Sequence, residues 1–178
     1  MGRAKEPVLA KLFMSLIVNE ENILQQGIQD LKKVFGEIDF ISERFPFDFT
    51  DYYNQEMGGD LYRHFITFEP HVSRDSLPDI KCTTNSLEEK YAVSGGNRRI
   101  NIDPGYLCQV HVILATTKAY THRPYLSKGI YADLTLIYRN KSFQALDWTY
   151  PDYRQEKVIQ LFNWLRKKYS EELALMVH

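Results

Sequence analysis

The 178 residues carry 22 Lys and Arg against 23 Asp and Glu, a formal charge of −1, with 44% hydrophobic and 25% charged side chains. That length fits one globular domain, and the composition excludes a disordered or collagen-like chain. The balanced charge gives no long-range field to draw the protein onto nucleic acid or an anionic membrane.

Cys82 and Cys108 are far apart with no CxxC, which argues against a zinc site or disulfide framework and for reduced, cytoplasmic thiols. Twelve Tyr and ten Phe are more aromatic side chains than a minimal core requires, and Tyr works well half-exposed in a pocket or interface.

In chain order, residues 1–7 are polar and read as a loose terminus before a single domain over 8–178. The apolar run 9–18 reads as a buried strand, too short to span a bilayer. Asn19 can then cap a helix whose apolar stripe is Leu24, Ile28, Leu31 and Phe35, closed by Gly36 in a left-handed cap. Strands are expected over 38–45 and 61–68, joined as a hairpin by a long aromatic and acidic connection.

From 73 to 84 the chain reads as irregular, with Pro78 as a breaker, and Ser86-Leu-Glu-Glu89 opens a short helix that Gly95 and Gly96 close. With a strand at 98–103, the order is βαββαβ, the ferredoxin-like arrangement. Asp103 before Pro104 predicts a helix over 105–118, although Val110, Val112 and Ile113 favour a strand. Strands at 122–126, 129–138 and 142–148 and a long amphipathic helix over 154–175 form a C-terminal extension. That helix shows Val158, Phe162, Leu165, Tyr169 and Leu173 on one face. The fold class expected is therefore α+β, a ferredoxin-like core with added strands and a long terminal helix.

No P-loop, dinucleotide-binding glycine pattern, H-E-x-x-H, nucleophile elbow or EF-hand loop is present. Three weaker groupings remain. In Asn101-Ile-Asp-Pro-Gly-Tyr106, Asn101, Asp103 and Tyr106 stand where a turn could hold an anion, or Asp103 simply caps a helix. His122 can move a proton near neutrality and Arg123 can fork onto phosphate, but on a strand the two would face opposite sides.

The third is the carboxylate set Asp133, Asp147 and Asp152: Asp133, in an apolar run, could together with Asp147 hold a cation such as Mg²⁺ by oxygen ligands, or Asp133 could face water. His64 and His71 have no metal-ligand spacing, and the basic run 166–168 reads as a solvated helix face.

The stretches 45–53, 101–107, 115–118, 122–123, 129–132 and 148–154 resemble the uncharacterised prokaryotic family termed domain of unknown function 4416, over about residues 11 to 154. The resemblance implies domain boundaries rather than a mechanism. Some members carry a GTP-binding description, and this sequence lacks the phosphate loop that usually accompanies one.

Three functions stay open. The first is a binding domain for an anionic small molecule, a nucleotide or other phosphate-bearing ligand with GTP as one instance, held by Asn101, Asp103, Tyr106, Arg123, Tyr150 and Arg154. The second is a metal-assisted hydrolase or phosphotransferase using His122, Asp133 and Asp147. The third is a protein-interaction module whose aromatic segments 47–53 and 148–153 form a sticky surface. No cofactor and no oligomeric state follow from the residues.

Overall fold

A computed structural model describes residues 2–49, 53–93 and 96–176, and for Asn54 and Gln55 the backbone alone. Strand β1 (Ala10–Val18) is buried along its whole length. Alternation puts Leu12, Met14, Leu16 and Val18 against helix α1 (Glu21–Phe35), while Phe13 faces the other side of the sheet. The stripe of Leu24, Ile28 and Leu31 is buried as expected. Asn19 is not the cap: Glu20 takes that position, and the Asn19 amide donates to the Met57 carbonyl at 2.6 Å. Gly36, at φ 97°, ends the helix and donates its N–H to the Lys32 carbonyl.

The strand expected over 38–45 is two pieces, β2 (Ile38–Ile41) and β3 (Phe45–Pro46), both antiparallel to β4 (Tyr62–Val72). A single helical turn, α2 (Asn54–Met57), lies in the connection. Helix α3 (Leu77–Lys90) replaces the irregular stretch and short helix expected there. Pro78 sits in its first turn, where a missing N–H costs nothing, so it opens the helix instead of breaking one. Ser86 and Glu89 therefore lie inside the helix rather than forming a capping box. Of the two glycines expected to close it, Gly96 has φ 84° and Gly95 lies outside the described residues.

The helix expected over 105–118 is a hairpin of β5 (Ile100–Leu107) and β6 (His111–Thr116). Its β-branched residues outweighed the Asp-Pro signal. Non-local packing requires the extended form: a Cβ on Gly105 would come within 2.4 Å of the Ile113 carbonyl oxygen and 2.7 Å of the Phe13 ring. Then follow β7 (Tyr125–Ser127), β8 (Ile130–Arg139) and β9 (Ser142–Ala145). Asn140 and Lys141 join the last two at positive φ, the two-residue turn a hairpin favours. Helix α4 (Glu156–Met176) ends the chain.

Among the described residues all pairings are antiparallel, in one nine-stranded sheet ordered β2-β4-β1-β5-β6-β8-β7, with β3 on β4 and β9 on β8. The elements β1, α1, β2, β4, α3 and β5 keep the expected βαββαβ succession. However, β3 and α2 interrupt it and β6 to β9 continue the same sheet. The fold is a mixed α+β one, not a clean ferredoxin-like core.

Helix α1 and Ile80 of α3 cover one face of the sheet. Helix α4 covers the other, its Val158, Phe162, Leu165 and Tyr169 packing on Phe13, Phe65, Leu107 and Phe143, with Leu173 half-buried beside them. No helix among the described residues is long and apolar enough to cross a membrane.

A polar cluster fastens α4 to the sheet. Lys11, 1% exposed, donates to Asp39 at 2.5 Å and to Glu172 at 2.9 Å. Lys168 and Thr67 also donate to Asp39, so Lys168 is part of this cluster and not of a solvated face. His71 Nε2 lies 2.7 Å from Glu172. Burial would raise the Asp39 pKa, but the hydrogen bonds from Lys11, Lys168 and Thr67 outweigh it and hold the carboxyl at about 2.

A depressed carboxyl pKa contributes stability that is present above the unfolded-state value near 4 and is lost as pH falls toward 2. Urea unfolding between about pH 5 and about pH 2.5 should show that loss in the natural chain and a smaller one in Asp39→Asn. An equal pH dependence in both would place the acid sensitivity elsewhere.

Candidate functional site

The site begins with a proline. Ile102 turns its N–H away from β1, and alternation turns Pro104 the same way, toward β6. Pro104 has no N–H to offer, and the β5–β6 ladder stops at Gly105 paired with Leu114. Beyond that point the strands diverge. The backbone groups of β5 exposed there are satisfied by α3: Glu88 accepts from the Ile102 N–H at 2.6 Å, and Lys81 donates to the Ile102 carbonyl at 3.1 Å.

A cavity of about 560 Å³ fills the divergence. Its deeper wall holds Arg63 of β4, Asn101 and Asp103 of β5, Asp133 of β8, Lys81 and Glu88 of α3, and Asp152 and Tyr153 from the turn before α4. Phe49, Thr117, Lys118 and Tyr150 line it too and are exposed, which marks the mouth. Phe47 and Tyr53 add aromatic wall.

The charges pair closely. Arg63, 5% exposed, bonds Asp152 through Nη1, and its guanidinium sits over the rings of Phe47, Tyr153 and Phe65 at 4.8, 5.2 and 5.5 Å. Lys81 Nζ is 3.2 Å from Asp103. Arg98 forks onto Glu56 and also reaches Glu88 and Asn101. Asn101 in turn donates to Asp103 at 2.8 Å.

Burial opposes ionisation of Asp103, but Lys81, Asn101 and Arg63 outweigh it and hold its carboxyl below the usual range. Burial lifts Glu88 above its usual value, with Asp103 adding to the rise while Lys81 and Arg98 oppose it. Burial likewise pushes up the hydroxyls of Tyr53, Tyr150 and Tyr153, so these remain protonated donors near neutral pH.

Of the residues singled out from sequence, Asn101, Asp103, Asp133, Tyr150 and Asp152 line the cavity. His122 and Arg123 stand behind Asp133, outside the lining. They lie in a turn before β7 and not on a strand, so the expected opposition of their faces does not arise. Arg123 Nε donates to Asp133 at 2.8 Å and its Nη2 to the Tyr150 hydroxyl at 2.5 Å; His122 Nε2 is 3.3 Å from Asp133 and stacks on Trp148. Asp133 is therefore buried and ion-paired rather than on a wet face.

Three residues fall elsewhere. Tyr106 lies on the opposite face of β5, its hydroxyl 3.4 Å from His111. The Asp147 side chain is exposed, and the Arg154 guanidinium binds the Asp147 and Thr149 carbonyls, which fastens the 147–154 loop. Among the described residues no three His, Cys, Asp or Glu side chains group closely enough to hold a metal ion.

The aromatic segments expected to form one surface divide. Phe47 and Tyr153 are buried in the cavity wall, Phe49, Trp148 and Tyr150 are exposed, and residues 50–52 lie outside the described residues.

Sequence reasoning missed Arg63, Lys81, Glu88 and Arg98. Two signals were available: Arg63 interrupts the alternating face Leu61, Phe65 and Thr67, and Lys81, Asn85 and Glu88 recur at helical spacing.

No curated protein and no solved structure matches this chain. A family model described as a domain of unknown function, number 4416, matches residues 8–169, and with nearly the whole chain covered the protein belongs to that family.

Proposed function

We propose that the protein binds one small, planar, weakly anionic ligand in this cavity, of the class of a nucleoside monophosphate or a comparable ring bearing a phosphate. The observation that carries the reading is the convergence of four cations, four carboxylates and several aromatic rings on one concave volume. That volume is in the range of small-molecule sites, and the rings offer stacking faces.

The cations Arg63, Lys81, Arg98 and Lys118 are matched by Glu88, Asp103, Asp133 and Asp152. A wall that is neutral overall accepts a small negative charge near Lys118 at the mouth more readily than a triphosphate such as GTP. Asn101, Asp103 and Tyr150 supply hydrogen bonds within the cavity. Arg123 acts from behind, positioning Asp133 and Tyr150.

Thermal unfolding against adenosine, inosine, guanosine and uridine monophosphates, GTP and inorganic phosphate tests the reading. A ligand at 100 times its dissociation constant adds about 2.7 kcal/mol to stability. At least one monophosphate should raise the midpoint more than GTP does. A folded protein whose midpoint none of them moves overturns the proposal.

A further inference from the structure

Helix α3 turns one polar row into the cavity: Lys81, Asn85 and Glu88 recur at helical spacing and all three line it. Two of them are committed to β5. Lys81 holds the Ile102 carbonyl and Asp103, while Glu88 holds the Ile102 N–H and accepts from Arg98. Asn85, half-buried between them, has no hydrogen bond among the described residues. Its amide atoms are not sealed in the interior either, so they keep accessible surface on a residue that lines the cavity. Asn is a weak helix former and a half-buried amide without a partner is a further cost; the packing of α3 gains nothing from either.

A side-chain amide presents one acceptor and one donor side by side, without charge. Its complement is a ring edge that carries an adjacent donor and acceptor. Adenine has that pair on two edges, its amino group beside N1 and beside N7. Guanine has it on one, N1–H beside O6, and its N7 edge shows acceptors only. A stacking face stands by the same helix: Arg98, which bonds Glu88, lies 5.7 Å from the centroid of the Tyr53 ring.

We infer that Asn85 is the specificity-determining residue of this cavity and that its amide takes the amino edge of an adenine ring. Asn85 Oδ1 accepts from the amino group, and Nδ2 donates to the adjacent ring nitrogen. The assignment rests on the ligand-binding reading above and narrows the ligand to an adenosine monophosphate, its phosphate left at the mouth.

Adenosine monophosphate, purine riboside monophosphate, which lacks the amino group, and guanosine monophosphate isolate that contact when titrated into the whole chain by calorimetry. The natural protein should bind the first about tenfold more tightly than the second, the worth of one polar pair. In Asn85→Leu, of similar size and without polar side-chain atoms, the two should bind within about twofold of each other. In Asn85→Asp the carboxylate only accepts, which opposes N1 or N7 of adenine and suits the adjacent N1–H and amino donors of guanine. The preference should therefore move toward guanosine monophosphate by about tenfold. The thermal midpoint of free Asn85→Leu should not fall, because its amide has no partner to lose.

Unaltered selectivity in both variants overturns the role of Asn85 while leaving the cavity a ligand site. So does a natural protein that binds another monophosphate more tightly than the adenosine compound. A marked fall in the midpoint of free Asn85→Leu also overturns it, by showing a structural role for the amide. If no monophosphate binds, the ligand reading falls and this assignment with it.

Discussion

Asp152→Ala is expected to destabilise the protein by about 3–5 kcal/mol, the usual cost of removing one partner from a buried ion pair. Asp152 is 8% exposed and bonds Arg63, itself ringed by Phe47, Phe65 and Tyr153. Without the carboxylate the guanidinium keeps its charge inside an aromatic enclosure that offers it no counter-ion at that atom. A total stability of roughly 5–15 kcal/mol is typical of such a chain, so the loss would be a large fraction of it.

Adding Arg63→Met in the same molecule should recover part of the loss, since an apolar side chain of similar length removes the uncompensated charge. Urea unfolding of the single and double variants measures both steps. A loss under about 1 kcal/mol for Asp152→Ala would mean the pair is hydrated and contributes as a surface bridge does.

Phe162→Ala should have a comparable effect, about 3–5 kcal/mol, for a different reason. Phe162 is fully buried, and its ring lies 5.1, 5.5 and 5.9 Å from the rings of Phe13, Phe65 and Tyr153. Truncation removes one of the main contacts by which α4 holds the sheet and leaves a void at the centre of that packing. Tyr153, losing one wall, should become mobile, so near-ultraviolet circular dichroism ought to weaken along with stability. A loss below about 1.5 kcal/mol with an unchanged aromatic spectrum would show that neighbouring rings close the gap.

The parts of the fold that could be read from sequence are those set by local periodicity. The unbroken apolar run of β1, the α1 stripe of Leu24, Ile28 and Leu31, and the α4 stripe from Val158 to Tyr169 all stand where spacing put them. The reading failed where one residue type serves two structures. Pro78 opens a helix though it can equally end one, and Pro104 stops a ladder though Asp-Pro so often begins a helix.

Gly105 shows why the second error was hard to avoid. Its requirement comes from Ile113 across the hairpin and from Phe13 on β1, the neighbouring strand in the sheet but far off in sequence, so no local window around residue 105 holds both. The candidate site has the same character. Asn101, Asp103, Asp133 and Tyr150 stood out because each is an unusual polar residue in its segment. Lys81, Glu88 and Arg98 look like ordinary surface charges until the diverging strands gather them. Tyr106 and Arg154 looked site-like for local reasons, an aromatic after a turn and a cation before a helix, and their actual partners are His111 and the loop carbonyls.

The most direct test of the account is the monophosphate titration read at single residues by amide nuclear magnetic resonance. The ligand that stabilises the protein most should shift the amides of Asn101, Asp103, Thr116, Lys118, Asp152 and Tyr153, all on the cavity, and leave those of α1 and the Lys11 cluster nearly unmoved. Shifts centred on another face, or none at saturating ligand, would contradict the assignment of this cavity as the functional site.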